Sequence, residues 1–341
     1  MNNKRVLLTG VTGFLGSHTA IQLLNKGYEV VGTLRSKDRI NAIKEVIAKQ
    51  TKNIHKLTFV EADLNDSDIW LELTKNVDYI QHIASPFPRT MPKNENELII
   101  PAKKGILNIL KAAKAHQVKR VVMVSALGAI TYGKTKRELN TIFNEKDWTD
   151  VYNYKDTTPY YRSKTIAEKV AWDFIKKEKP ELELTTICPG AILGPVIDND
   201  YGTSANIIIS LLNGSLPALP KIEFDIIDVR SVVDLLIKAM EMPQAANERY
   251  IAASGHFNYK EIAQILKQEY PDRKIPSIVL PDFVTKIFSV FQPLLKPVLL
   301  ENVKRKIDNS KATKKLKWQP SSSKEAILSC AQSVLENKIV T

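Results

Sequence analysis

The chain has 341 residues, a length that fits one large domain or two. Its 44% hydrophobic and 25% charged residues are those of an ordinary globular protein with a sizeable core, which excludes a disordered chain. The formal net charge of +12 is spread along the sequence, and the densest run, from Lys304-Arg305-Lys306 to Lys317, keeps apolar residues interleaved and carries no nucleic-acid motif. It reads as a solvated basic face that favours anionic small molecules, with no nucleic-acid partner expected.

In chain order, the start has only a brief apolar run before Gly10, too short for a signal peptide, so a cytoplasmic protein is expected. Arg5-Val6-Leu7-Leu8-Thr9 reads as a strand, residues 14–26 as a helix ending at Lys26-Gly27, and Glu29 to Leu34 as a second strand. A lysine-rich helix near 38–50, strand 57–60, helix 66–75, strand 78–83, helix 97–116, strand 121–124, helix 159–178 and strand 184–187 follow. Strands that alternate with helices and are continuously apolar predict a parallel sheet covered on both faces. The expected fold class is α/β, a Rossmann-type doubly wound parallel sheet.

From Pro189 the rhythm changes. Asp225–Val229 and Arg249–Ala252 read as isolated strands among helical segments such as 258–269 and 324–336. This predicts a cofactor domain over 1–188, with strands returning from about 221–254, and a smaller, mostly helical substrate lobe over 189–220 and 255–341. Pro281 to Leu300 is apolar, but Lys286, Pro293, Lys296 and Pro297 interrupt it, which predicts short buried helices rather than a membrane span. Cys188 and Cys330 are too few for a disulfide framework, and no His/Cys/Asp cluster has metal-ligand spacing, so no metal is expected.

Between the first strand and the first helix stand Gly10, Gly13 and Gly16, three apart, with Thr12, Phe14 and Leu15 on the same turn. Glycines there let the backbone approach a pyrophosphate, whose charge the helix N-terminus receives. The acidic residue that holds the ribose hydroxyls in NAD sites is absent at Thr33, while Arg35 is suited to a phosphate, which favours NADP(H). Asp38 lies beyond the strand end and is expected to cap the next helix. Asp63 and Leu64 follow the third strand, where the adenine edge would lie.

Tyr160 and Lys164, in the segment YYRSK, share one face of a helix for which Thr158 is the expected N-cap and Pro159 the first residue. That spacing also occurs on ordinary solvated helices.

Taken together, TGVTGFLGSH at 9–18, HIASPFP at 82–88, YYRSK at 160–164, CPGAILGP at 188–195 and the ending from Asp308 to Pro320 resemble the extended short-chain dehydrogenase/reductases. The dihydroflavonol reductase-like branch, with its cinnamoyl-CoA reductases and microbial carbonyl reductases, is the nearest in pattern. The resemblance implies hydride transfer from NADPH to a carbonyl carbon, with Tyr160 protonating the oxygen and Lys164 both lowering the phenol's pKa and holding the nicotinamide ribose. It implies a cofactor lined by Ala84, Ser85, Pro86 and Pro189. A hydroxyl that polarises the carbonyl is expected at the end of the fifth strand. Relatives often have two serines there, but the second position is Ala126, which leaves Ser125, with Thr131 or a water as fallback. Tyr161, three residues from Lys164, does not fit the spacing, and Tyr132, His18 and His82 are expected to be structural. Phe87, Pro88, residues 190–220 and the stretch carrying Phe283, Phe288 and Phe291 would line the pocket for a small, apolar or aromatic carbonyl compound. Two rival readings are a nucleotide-sugar epimerase or dehydratase with bound NAD and a non-catalytic NADP sensor. A monomer or homodimer is expected.

Overall fold

A computed structural model describes residues 4–85, 92, 94–178, 181–281 and 300–340. Seven strands form one sheet: β1 (Arg5–Thr9), β2 (Glu29–Leu34), β3 (Leu57–Glu61), β4 (Tyr79–His82), β5 (Arg120–Val124), β6 (Glu183–Pro189) and, later in the chain, Glu248–Ala252. All its pairings are parallel. The order is β3-β2-β1-β4-β5-β6 followed by Glu248–Ala252. Thr9, the last residue of β1, pairs with Thr33 on one side and His82 on the other. The strand order therefore reverses beside β1, and the carboxyl ends of β1 and β4 frame the crevice where such sheets bind ligands.

Alternation along the strands divides the core in two. Val6, Leu8, Val30, Val122 and Val124 face the helices α1 (Phe14–Asn25) and Val229–Glu241. Leu7, Val31, Ile80, Val121 and Met123 face the other side of the sheet, against α3 (Ser67–Leu73), α4 (Asn96–Ala115) and α5 (Pro159–Glu178), while α2 (Ile40–Ala48) packs on the first side. Burial on both faces is why these strands read as unbroken apolar runs.

Three strands form a second, smaller sheet: β7 (Ala191–Leu193), β8 (Glu223–Asp228) and Gly255–Asn258, with β8 in the middle. Here the structure corrects the expected division. β8 does not return to the large sheet, and only Glu248–Ala252 does. Two of the small strands, β7 and Gly255–Asn258, were not expected: they have three and four residues and carry a strand pattern only through their pairing with β8. No helix among the described residues is long and apolar enough to cross a membrane. Pro86, Phe87, Pro88, Phe283, Phe288 and Phe291 lie outside the described residues.

The turn after β1 is held by close backbone packing. A Cβ on Gly16 would lie 2.0 Å from the Gly10 carbonyl oxygen. Gly16→Ala should therefore lower stability by about 1–3 kcal/mol, the usual cost of overpacking. Urea unfolding reads this directly; an unchanged midpoint would mean that the turn accepts a side chain without shifting.

Candidate active site

The glycine turn is anchored on β2. The Gly10 and Val11 N–H groups both donate to the Thr33 carbonyl at 3.1 Å, and Gly10 takes φ +74, a conformation that favours glycine. On β2, a Cβ at Gly32 would meet Val11 at 2.9 Å, so Gly32 lets the turn pack down. Gly13 is the N-cap of α1; it gives no side-chain cap, and the first turn holds no acidic residue. The N–H groups of that turn lack intrahelical acceptors by geometry, so the donor set suits a diphosphate. Thr12 and Gly13 are half-buried, while Phe14, Leu15 and Gly16 are buried.

Arg35 is exposed immediately after β2. Asp38 departs from expectation: it sits inside a short 3-10 turn, Lys37–Arg39, and accepts from the Ser36 hydroxyl at 3.0 Å rather than capping α2. Arg39 is paired with Asp198 at 3.0 Å and Asp200 at 2.5 Å, which ties this corner to the loop after β7. The Asp63 carboxylate accepts from the Asn65 backbone at 2.7 Å, shaping the turn after β3. Leu64 faces inward and lines a small cavity with His82, Ala84, Ser85 and Lys164.

Thr158 does cap α5: its hydroxyl accepts the Tyr161 N–H at 3.2 Å, and Pro159 opens the helix. This sets Tyr160 and Lys164 one turn apart. Lys164 is buried, and its Nζ donates to the Val124 carbonyl at the end of β5 at 3.0 Å. Burial lowers its ammonium to about 8, opposed by the charge of Glu168. Tyr160 is half-buried, and burial raises its phenol to about 12. This reverses the expected direction, because desolvation of the phenolate outweighs any pull from Lys164.

Ser125 faces a carboxylate. Its hydroxyl donates to Glu168 at 2.6 Å, in a fully buried cluster where Glu168 also accepts from Thr186 at 2.7 Å and pairs with Arg249 at 2.7 Å. Burial would raise the Glu168 carboxyl, but Arg249 and these hydrogen bonds hold it below its usual value, so it is an acceptor. A serine has one proton to give, and it is committed there. The fallback, Thr131, is 1% exposed and donates to the Leu127 carbonyl at 3.4 Å. Ala126 is extended and buried. Glu168 was missed in the sequence, although it continues the Tyr160–Lys164 face by one more turn.

Tyr161 points elsewhere. Its ring lies against Gly128, where a Cβ would be 2.0 Å away, and stacks on Tyr132 at 4.1 Å. Both phenols donate to Glu301, Tyr161 at 2.8 Å. This accounts for Tyr132 and Tyr161 as structural residues. His18 lies 2.9 Å from the Pro195 carbonyl through Nε2. Pro189 is buried at the end of β6, paired with Ala252. No group of three metal-ligating side chains occurs among the described residues.

Comparison with known proteins places these features in context. The profile described as "NAD dependent epimerase/dehydratase family" matches residues 6–253. Ketoreductase azaE of Aspergillus niger is 32% identical over 302 residues, 84% of this chain and 89% of that protein. Cinnamoyl-CoA reductase CAD2 of Medicago truncatula is 31% identical over 277 residues, 80% and 82% of the two chains. Among solved structures, Gre2 of Candida albicans in complex with NADPH is similar with a TM-score of 0.79 and 27% identity, covering 98% of this chain and 99% of that one.

With its proton held by Glu168, Ser125 is placed to stabilise that buried carboxylate. Ser125→Ala should cost about 2 kcal/mol, as for a hydrogen bond to a charged group, and should change kcat by less than about threefold. A fall near a hundredfold, the scale of a lost oxyanion donor, would return Ser125 to the reacting centre.

Proposed function

Because the chain belongs to the NAD dependent epimerase/dehydratase family, we propose that it is an NADPH-dependent reductase of small aldehyde or ketone carbonyls with Tyr160 as the proton donor. It is an oxidoreductase, as its similarity to named reductases along most of its length indicates. The observation that carries the reading is Lys164, buried and fixed to the Val124 carbonyl one helical turn from Tyr160, at the sheet edge that also bears the glycine turn.

Bound NADPH supplies a hydride to the carbonyl carbon. Gly10, Thr12, Gly13, Phe14, Leu15 and Gly16 would hold its diphosphate through the turn and the α1 N-terminus. Arg35 would take the 2′-phosphate by a charge-assisted contact, with Asp63 and Leu64 beside the adenine and Ala84, Ser85 and Pro189 beside the nicotinamide half. Tyr160, protonated at neutral pH, gives its proton to the oxygen as charge develops there. Lys164 offsets the charge left on the phenol and would hold the nicotinamide ribose. With Ser125 committed to Glu168, Tyr160 and Lys164 act without a serine donor. The substrate would lie against residues 189–220 and 255–341, and Phe87, Phe283, Phe288 and Phe291 in the sequence favour an apolar or aromatic carbonyl compound.

Tyr160→Phe should leave NADPH affinity intact and cut turnover by about a hundredfold, the scale of a lost general acid. Near-normal turnover would remove Tyr160 from the chemistry. Arg35→Ala should weaken NADPH binding by about 2 kcal/mol and leave NADH almost unaffected. Equal losses for both cofactors in a fluorescence titration would make Arg35 a structural residue.

A further inference from the structure

Thr9 decides the tautomer of His82. The Thr9 hydroxyl oxygen accepts the N–H groups of Ile83 at 3.1 Å and Ala84 at 3.0 Å, and it lies 3.0 Å from His82 Nδ1. An amide N–H can only donate, so both lone pairs of the hydroxyl are filled and its one proton goes to Nδ1. Nδ1 is thereby an acceptor, and the imidazole proton sits on Nε2. An imidazolium would set a second proton against that of Thr9. Burial, and then the charge of Lys164, lower the His82 pKa to about 3, in agreement with this count.

The fixed N–H has a destination. His82 is 4% exposed, and among the described residues Nε2 has no acceptor. The ring lines a cavity of about 10 Å³ together with Leu64, Ala84, Ser85, Ala102, Lys164 and Ala167. That is room for about one water, and a buried water needs two to four polar partners. Lys164 supplies another: an ammonium has three N–H groups, and the Val124 carbonyl takes one.

We propose that His82 is a positioning residue whose Nε2–H, together with the Lys164 ammonium, holds one water in this cavity and so solvates Lys164. The proposal rests on the reading of Lys164 as a member of the reducing centre. It extends the expectation that His82 is structural: Nδ1 is bonded to the Thr9 side chain, and the second ring nitrogen serves the site. Lys164 is buried, and among the described residues the titratable groups around it are Tyr160 and Glu168 on its own helix, Cys188 on β6 and His82 on β4. Loss of the water would strip an acceptor from a buried cation and make its charged form less stable.

Three measurements test this. In the cofactor-free protein, imidazole ¹⁵N–¹H spectra should show His82 as the neutral Nε2–H tautomer with no titration between about pH 5 and 9. The Nδ1–H tautomer, or titration in that range, would overturn the proposal. A high-resolution crystal structure with NADPH should show a water hydrogen-bonded to both Nε2 and Lys164 Nζ; Nε2 bonded directly to the ribose would overturn it. Finally, the alkaline limb of the kcat profile should move down by about one pH unit in His82→Leu and return in His82→Gln, which retains an acceptor and an N–H. An unmoved limb in His82→Leu, or no return in His82→Gln, counts against the water. The first measurement needs no turnover, so its failure is separable from failure of the reductase reading.

Discussion

The burial of a lysine ammonium at the end of β5 is the constraint on which the rest of the site depends. A buried charge is costly unless it is paired and hydrogen-bonded. Here the Val124 carbonyl takes one N–H of Lys164, and Glu168 stands one turn along α5 as the nearby negative charge. Glu168 is itself fully buried and needs Arg249, Thr186 and Ser125 to remain ionised. Arg249 in turn stacks on Trp148 with its guanidinium 3.6 Å from the ring centre and donates to the Glu145 carbonyl at 2.6 Å. One buried cation at the end of β5 thus stands beside a network reaching through α5, β6 and the Glu248–Ala252 strand.

This network also holds the serine at the end of β5. Ser125 still continues the ladder, its N–H donating to Ile187 at 2.8 Å, so its side chain is aimed by the strand and captured by Glu168. The glycine turn obeys a separate, local constraint. Gly10, Gly16 and Gly32 make backbone approaches that side chains would block, and the uncapped α1 N-terminus is their result. The two halves meet through Thr9, which ends β1 and aligns Ile83, Ala84 and His82 beside the crevice.

Features set by local sequence were legible beforehand. The large sheet's strands, the Thr158 cap, the left-handed Gly27 after α1 and the glycine turn follow from patterns within a few residues. What escaped depends on distant partners. β7 and Gly255–Asn258 are strands because β8 lies between them. The orientation of Ser125 depends on Glu168, and that of His82 on Thr9, neither of which is near in sequence. Spacing put Tyr160 and Lys164 one turn apart on α5, but it reveals a neighbouring charge and not the burial that raises the phenol.

The most direct test of the central claim follows the transferred hydrogen. The protein would be incubated with a panel of aldehydes and ketones and NADPH deuterated at the transferable position. The account predicts alcohol and NADP⁺ formed one for one, with the deuterium on the carbinol carbon. Retention of a tightly bound NAD with no net oxidation of NADPH by any carbonyl in the panel would contradict it.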